Sequence, residues 1–275
     1  MAVVNSVRTN PGALSALRAL NGINRKSATI QDRVSTGLKV TGAEGGASNF
    51  AIAQGLRAEL TAYRALNQGL RTALGVVKVG IAAATGVSDV LTEMRGKSVQ
   101  GRNAGLTAQQ RSIVANDFLA LRDQFDRLVS NAKFNEKNLI VTGSSSMTVL
   151  TNIAGGTVTI DNYELSAITL QFGLVDANLD TVSNAEAADG YVVDALFTVA
   201  TALAGLAESA RFIESQIGFN ESLSDATEEG LGNIVDADLA RDSARLTALQ
   251  VQQQLSVQTL GIATQRPNSL LSLFS

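Results

Sequence analysis

The chain end from Asn233 onward constrains the fold more than any other stretch. Between Asn233 and Gln265 there is no proline and a single glycine, Gly261, so one long helix is expected. At about 100° per residue, Val235, Leu239, Leu246, Leu249, Val257 and Leu260 fall on one face. Ala244, Ala248, Val251, Leu255 and Ile262 fall on a second face, roughly opposite. Asp236, Asp238 and Asp242 stand near the start, where the helix dipole favours anions. Pro267 is expected to stop the helix, so that Leu270, Leu271, Leu273 and Phe274 leave its axis and dock on a neighbour. A surface helix needs one apolar stripe; two opposed stripes need cover from two sides. A core helix buried on both faces would meet that need. A chain terminus is hard to cover twice from within its own domain, which points instead to other copies of the chain.

The other end supplies a partner. After Pro11 and Gly12, a helix is expected over residues 13–38, with Ala16, Leu20, Ile23, Ser27, Ile30 and Val34 at alternating spacings of four and three. That is a coiled-coil seam, and Arg18, Arg25, Lys26, Asp32 and Arg33 lie away from it. So short a seam does not stand alone, and the C-terminal stripe is the natural surface to meet it.

Between the ends, a glycine-rich loop (Gly42, Gly45, Gly46) leads into a helical pattern from Phe50 to about Gln100, with Leu56, Leu60, Tyr63, Leu70, Leu74, Val77, Ile81, Ala84, Ser88 and Leu91 in heptad rhythm. At 1.5 Å per residue this makes a rod of roughly 75 Å. Gly69, Gly75, Gly80 and Gly86 weaken such a helix unless they let neighbours approach closely. The loop has neither phosphate-loop nor dinucleotide spacing. Thr107 with Gln110 forms a capping box for a helix striped by Val114, Phe118, Leu121, Phe125 and Leu128, closing at Phe134-Asn135. Asp123 and Asp126, flanked by Arg122 and Arg127, read as a solvated face rather than an acid–base pair. From about 141 to 174 the rhythm turns to strand: Met147–Leu150, Thr157–Ile160 and Ile168–Leu170, with Gly155-Gly156 and Asp161-Asn162 as turns. Residues 176–190 read as loop, 191–217 as a helix with Leu196, Ala200, Leu203, Ala207, Ala210 and Ile217 inward, and 220–232 as a hinge.

Composition removes whole classes of function. With no His and no Cys among 275 residues, a Ser-His-Asp triad, a His or Cys zinc site, thiol catalysis and disulfides are all excluded. A net charge of -3 without a basic run argues against nucleic acid, and nothing calls for a cofactor. Only 4% of residues are aromatic, so the apolar content is mostly Ala, Leu and Val, suited to helices packed side by side. Met1–Ser6 lacks the charged and apolar runs of a secretory signal, and no stretch reads as long and apolar enough to cross a membrane.

The wording at both ends carries a resemblance. Thr9-Asn10, Ala19-Leu20-Asn21-Gly22-Ile23-Asn24 and Arg33-Val34-Ser35-Thr36-Gly37-Leu38-Lys39-Val40 at the front, Asn138-Leu139-Ile140 in the middle, and Asn233-Ile234-Val235-Asp236-Ala237-Asp238-Leu239-Ala240, Ser243-Ala244-Arg245-Leu246, Gln252-Gln253-Gln254-Leu255 and Ser269-Leu270-Leu271-Ser272-Leu273-Phe274 at the back resemble the termini of bacterial flagellins. The loop Gly42-Ala43-Glu44-Gly45-Gly46 departs from the family's more charged wording. The resemblance implies a mainly α fold: a long antiparallel helical rod or coiled coil formed by both chain ends, with a small β-hairpin patch in the middle. It implies a terminal domain of residues 1–40 plus 233–275 lining an inner tube, and an outer domain of 41–232. It also implies a non-enzymatic, extracellular filament subunit, exported without a cleaved signal, that meets other flagellin copies, hook-associated and cap proteins, the flagellar export apparatus and an export chaperone, but no membrane. The polymerisation interface is then expected at Leu14, Leu17, Leu20, Ile23, Ile30, Val34, Leu246, Leu249, Val251, Leu255, Val257, Leu260, Ile262, Leu270, Leu273 and Phe274. The alternatives are a hook–filament junction protein, or a helical adaptor that stays monodisperse where a flagellin elongates on added seeds.

Without His or Cys, no side chain has an ordinary pKa between about 5 and 8. A filament of this chain should therefore keep a level amount of sedimentable polymer across that window. Loss of polymer centred near about pH 6.5 would contradict the expectation.

Overall fold

The computed structural model describes residues 9–168 and 179–271, the stretch 266–271 by its backbone alone. Among them are five long helices and one hairpin: α1 (Pro11–Thr36), α2 (Ala47–Gly101), α3 (Ala108–Asn131), β1 (Met147–Leu150), β2 (Thr157–Ile160), α4 (Val182–Val235) and α5 (Leu239–Leu271). The chain divides into two compact units, Met1–Ala58 with Ala226–Ser275, and Glu59–Asp225. The fold is thus mainly α, with a two-stranded patch, as the sequence leads one to expect.

Local chemistry sets the boundaries. Asn10 caps α1 by accepting from the Ala13 N–H, and Gly37 ends it in the left-handed conformation at φ 72°. Thr107 and Gln110 exchange hydrogen bonds at the start of α3, the expected capping box. β1 and β2 pair antiparallel, from Met147 opposite Ile160 to Leu150 opposite Thr157. After α3, Phe134 and Lys137 exchange backbone hydrogen bonds across Asn135 and Glu136, both at positive φ. This turn lies beyond Asn131, where α3 ends, so Phe134-Asn135 follows the helix instead of closing it.

The unit Glu59–Asp225 has a continuous core. Leu70, Val77, Ala84, Leu91 and Met94 of α2 meet Val114, Phe118, Phe125 and Val129 of α3, Val149 and Ile160 of the hairpin, and Val192, Val199, Leu206 and Ile213 of α4. The hairpin is also tied down by polar contacts: Gln216 Nε2 and Asn220 Nδ2 both donate to the Thr151 carbonyl, at 3.1 and 3.2 Å. Of the four α2 glycines singled out in the sequence, three mark close approaches. A Cβ at Gly75 would meet the Phe134 ring at 3.1 Å, and one at Gly80 or Gly86 would touch Leu206 or Leu128 at 3.5 Å; at Gly69 there is open space.

Several expectations need correction. The stretch 220–232 is not a hinge: α4 runs unbroken to Val235, because it holds no proline and Asn220, Leu231 and Ile234 are held by packing. The break falls at Asp236–Asp238, where the Asp238 carboxylate accepts from the Arg241 N–H to start α5. At its other end α4 begins inside the expected loop, because Thr181 Oγ1 caps it by accepting from the Asn184 N–H and Ala185 and Ala188 are buried; residues 176–178 lie outside the described stretch. The inward face of α4 is Val192, Ala195, Val199, Ala202, Leu206, Ala210 and Ile213. Of the residues expected inward, Ala210 is buried, Leu196, Leu203 and Ile217 are half-buried against the core, and Ala200 is exposed; in an alanine-rich helix the small residues hide which side packs most deeply. Ile168 sits in a short helical turn and not a strand, while Thr169 and Leu170 are outside the described residues. Pro267 does not stop α5, which continues to Leu271. Proline within a helix removes the backbone bond to the carbonyl four residues earlier and crowds it; here that carbonyl, of Ala263, turns to accept from Asn10 Nδ2. Finally, α2 and α4 each hold an 18-residue window of mean hydropathy 1.6, long and apolar enough to cross a membrane by composition. That apolarity is largely Ala, Val and Gly spread around helices that carry the core.

Two predictions follow from the packing around Tyr163. A Cβ at Gly205 would fall 1.7 Å from Tyr163 Oη and 2.6 Å from its Cζ, so Gly205→Ala should cost about 1–3 kcal/mol through overpacking. Gly69→Ala, facing open space, should instead gain up to about 1 kcal/mol; urea unfolding of the two variants reads the opposite signs. Burial first, then the nearby carboxylates Asp161 and Glu208, raise the Tyr163 phenol above its ordinary 10.0. A raised pKa means that its contribution is complete below the unfolded value and fades as pH rises through the folded one. Between about pH 10 and 12 the wild type should therefore lose more stability than Tyr163→Phe, measured by paired denaturation curves.

Candidate assembly surface

In the unit Met1–Ala58 with Ala226–Ser275, α1 and α5 pack side by side, running antiparallel. At one end Asn10 Nδ2 donates to the Ala263 carbonyl at 2.7 Å. At the other, the Lys39 N–H donates to the Val235 carbonyl at 2.6 Å and the Ala237 N–H to the Gly37 carbonyl at 2.9 Å. Lys39 Nζ adds a bond to the Asn233 carbonyl at 3.3 Å. Beneath this clamp Val40, Ala53 and Val235 form a small buried cluster, with Leu38, Phe50, Leu231 and Ile234 against it.

Along the pair, burial follows a coiled-coil rhythm and, Asp242 apart, is only partial. On α1 the half-buried positions include Ala13, Ala16, Leu20, Ile23, Ser27, Ile30 and Val34; among the described residues none of α1 is fully buried. On α5 the corresponding line is Asp242, Leu246, Leu249, Gln253, Ser256, Leu260 and Ala263. Leu20, Ile23, Ile30, Val34, Leu246, Leu249 and Leu260 thus stand where the sequence spacing puts them. Leu239 and Val257 do not: they lie roughly 60° around the helix at 100° per residue, and are 47% and 53% exposed. The polar members Asp242, Gln253 and Ser256 are invisible to a search for apolar spacing, although their alternating threes and fours could have revealed them. Asp242 is nearly covered and pairs with Arg245 at 3.4 Å.

The second stripe of α5 is open to water. Ala244 and Ala248 are exposed, and Val251, Leu255 and Ile262 show 51%, 55% and 68% of their surface. Leu14 and Leu17 of α1 are also exposed, away from the seam. Leu270 lies on the part of α5 described by backbone alone, and Leu273 and Phe274 lie outside the described residues. A shallow groove of about 420 Å³ runs beside the seam, lined by Lys26, Ile30, Arg33, Arg245, Leu249 and Gln252 among others, so its rim is basic. In the other unit, Val193, Phe197, Phe212 and Phe219 form a separate exposed line along α4, which the sequence reading missed by looking only for its inward face. Among the described residues no group of three or more acidic side chains is placed to hold a metal ion. The arrangement presents apolar helix faces, not reacting groups.

The family description "Bacterial flagellin N-terminal helical region" matches residues 7–144, and "Bacterial flagellin C-terminal helical region" matches 190–274. The chain belongs to the bacterial flagellins. It is 34% identical to flagellin FljK of Caulobacter vibrioides over 272 residues, covering 98% of this chain and 99% of that one. It is 33% identical to a flagellin of Brucella melitensis over 283 residues, with the same coverage of 98% and 99%. A solved structure from Vibrio parahaemolyticus, described as flagellar hook-associated, shares the fold at TM-score 0.61 and 15% identity, over 70% of this chain and 100% of that one. This flagellin is a structural subunit that polymerises with other flagellin copies into the extracellular flagellar filament, the polymer of bacterial motility.

Proposed function

We propose that neighbouring copies of this flagellin join through the uncovered stripe of α5, Val251, Leu255 and Ile262, together with Val257 and with Leu14 and Leu17 of α1. Their exposure carries the reading: a helix with opposed apolar stripes, only one of them met from within its own chain, is stable when a second copy meets the other. Leu20, Ile23, Ile30, Val34, Leu246, Leu249 and Leu260 pair within the chain and are covered further by neighbours. Leu270, Leu273 and Phe274 extend the same surface by sequence. Residues 1–40 and 233–275 serve as the terminal domain of an inner tube, and 41–232, which carries the hairpin of β1 and β2, as the outer domain. The ends order as copies add, since neither terminal helix is buried on two sides alone. Contacts of this head-to-tail kind do not close on themselves and so build a helical polymer.

Family membership supports the rest: export through the flagellum's own apparatus without a cleaved signal, an export chaperone, and hook-associated and cap proteins at the filament's ends. The protein works by assembly and not by catalysis, in keeping with a composition that lacks His and Cys.

Leu255→Asp is the test. A large apolar side chain is worth about 1.5–3 kcal/mol when fully buried, and a carboxylate there adds the cost of burying a charge. The variant should raise the critical concentration for elongation on wild-type seeds by about tenfold or more, with helical circular dichroism of the free subunit unchanged. Elongation at the wild-type critical concentration would overturn the assignment.

A further inference from the structure

We infer that Asn10 is a positioning residue for assembly: its one side-chain amide caps α1 and also supplies the hydrogen bond that Pro267 removes from α5. In a helix the N–H of residue 267 would donate to the carbonyl of residue 263. Proline has no N–H, so within α5 the Ala263 carbonyl loses its ladder partner. That carbonyl accepts from Asn10 Nδ2 at 2.7 Å. The same side chain accepts from the Ala13 N–H through Oδ1 at 3.1 Å. Only one orientation of the amide serves both contacts, because the Ala13 N–H needs an acceptor and the Ala263 carbonyl needs a donor.

The consequence is a register lock. Shifting α5 along α1 by one residue would present Asn10 with a carbonyl already engaged by its own helix, and would leave Ala263 without a partner. The proline that looks like a helix stop thus labels one carbonyl among the many along α5. Asn10 reads that label at the end of the pair opposite the Lys39–Val235 clamp. The two contacts fix both ends of a seam whose half-buried line includes Ser27, Gln253 and Ser256 and so discriminates weakly along its length. The position of the outward stripe of α5 against α1 follows from that register.

This inference rests on the reading of the α1–α5 pair as the assembly domain, and a mutant cycle separates the two. Asn10→Asp and Asn10→Ser keep a good cap but lose the amide donor. With Pro267 in place, each should raise the critical concentration for elongation on wild-type seeds about fivefold. In Pro267→Ala the backbone N–H returns to Ala263, and the same changes at position 10 should alter it less than about twofold. Equal rises in both backgrounds would make Asn10 a simple cap, and no rise in either would make the contact inert; either result overturns the inference. If Asn10→Asp alone fails to elongate, recovery in the double variant with Pro267→Ala supports it, and failure there refutes it. Normal elongation of Leu255→Asp would instead strike at the assembly surface and leave this coupling to be judged by the cycle itself.

Discussion

The antiparallel seam between α1 and α5 covers one side of α5 and leaves the other facing water, and the behaviour of both chain ends depends on that asymmetry. Ordering a residue costs about 1–2 kcal/mol of backbone entropy, and a helix recovers it mainly by burying an apolar face. On α1, 26 residues long, none is fully buried among those described, and the small cluster of Val40, Ala53 and Val235 lies at one end only. Such a pair is marginal by itself. On the assembly proposed above, a neighbour covering the second stripe would supply the missing burial, and adding it and ordering the ends would be one thermodynamic step.

The unit Glu59–Asp225 meets the same entropy by other means. Its helices draw on a continuous core centred on Phe118, Phe125, Leu91, Met94 and Leu206, with Gly75, Gly80 and Gly86 admitting neighbouring side chains close to α2. Polar anchors complete it. The buried Asn138 donates to the Val129 carbonyl at 2.8 Å and accepts from the Ile140 N–H at 2.9 Å. The buried Arg111 guanidinium donates to the carbonyls of Gly101 and Asn103 where α2 ends. The core of this unit is built wholly from its own helices and hairpin. The exposed Phe197, Phe212 and Phe219 on α4 can therefore serve contacts without bearing on the fold.

Legibility in the sequence followed the strength of the local signal. The α1 seam was readable because Leu20, Ile23, Ile30 and Val34 hold a strict spacing, and the hairpin because Met147–Leu150 and Thr157–Ile160 alternate around Gly155-Gly156. The start of α3 was readable from Thr107 and Gln110. The continuity of α4 was not, since Gly230, Gly232 and the acids near them resemble a hinge, while the residues packed against its end, Val40, Phe50 and Ala53, come from elsewhere in the chain. The inward side of α4 was hidden because alanine scores alike on every face. On α5 the apolar residues Leu239 and Val257 drew the eye off the seam, whose line includes Asp242, Gln253 and Ser256. The carbonyl that Pro267 leaves without its helix partner is met by Asn10, more than two hundred residues away, which no local rule can see.

Those polar seam positions explain why a terminal pair should be built weaker than it could be. A seam of leucines throughout would pair strongly in the free subunit, and in more than one register, since apolar contacts discriminate poorly between slips of one heptad. Replacing some layers by Ser27, Gln253 and Ser256 lowers the strength of the pair and leaves its alignment to directional bonds. Such bonds stand at its ends, Asn10 to Ala263 on one side and Lys39 to Val235 on the other. Hydrogen bonds are worth little each in water but fail outright when displaced, so they fix position without adding much stability. Strength can then come from neighbouring copies that cover Val251, Leu255 and Ile262, and alignment from within the chain. In a helical polymer every subunit repeats the same contacts, so a register error in one would be presented to the next. Separating alignment from strength lets a subunit with loose ends join at a single, repeatable geometry.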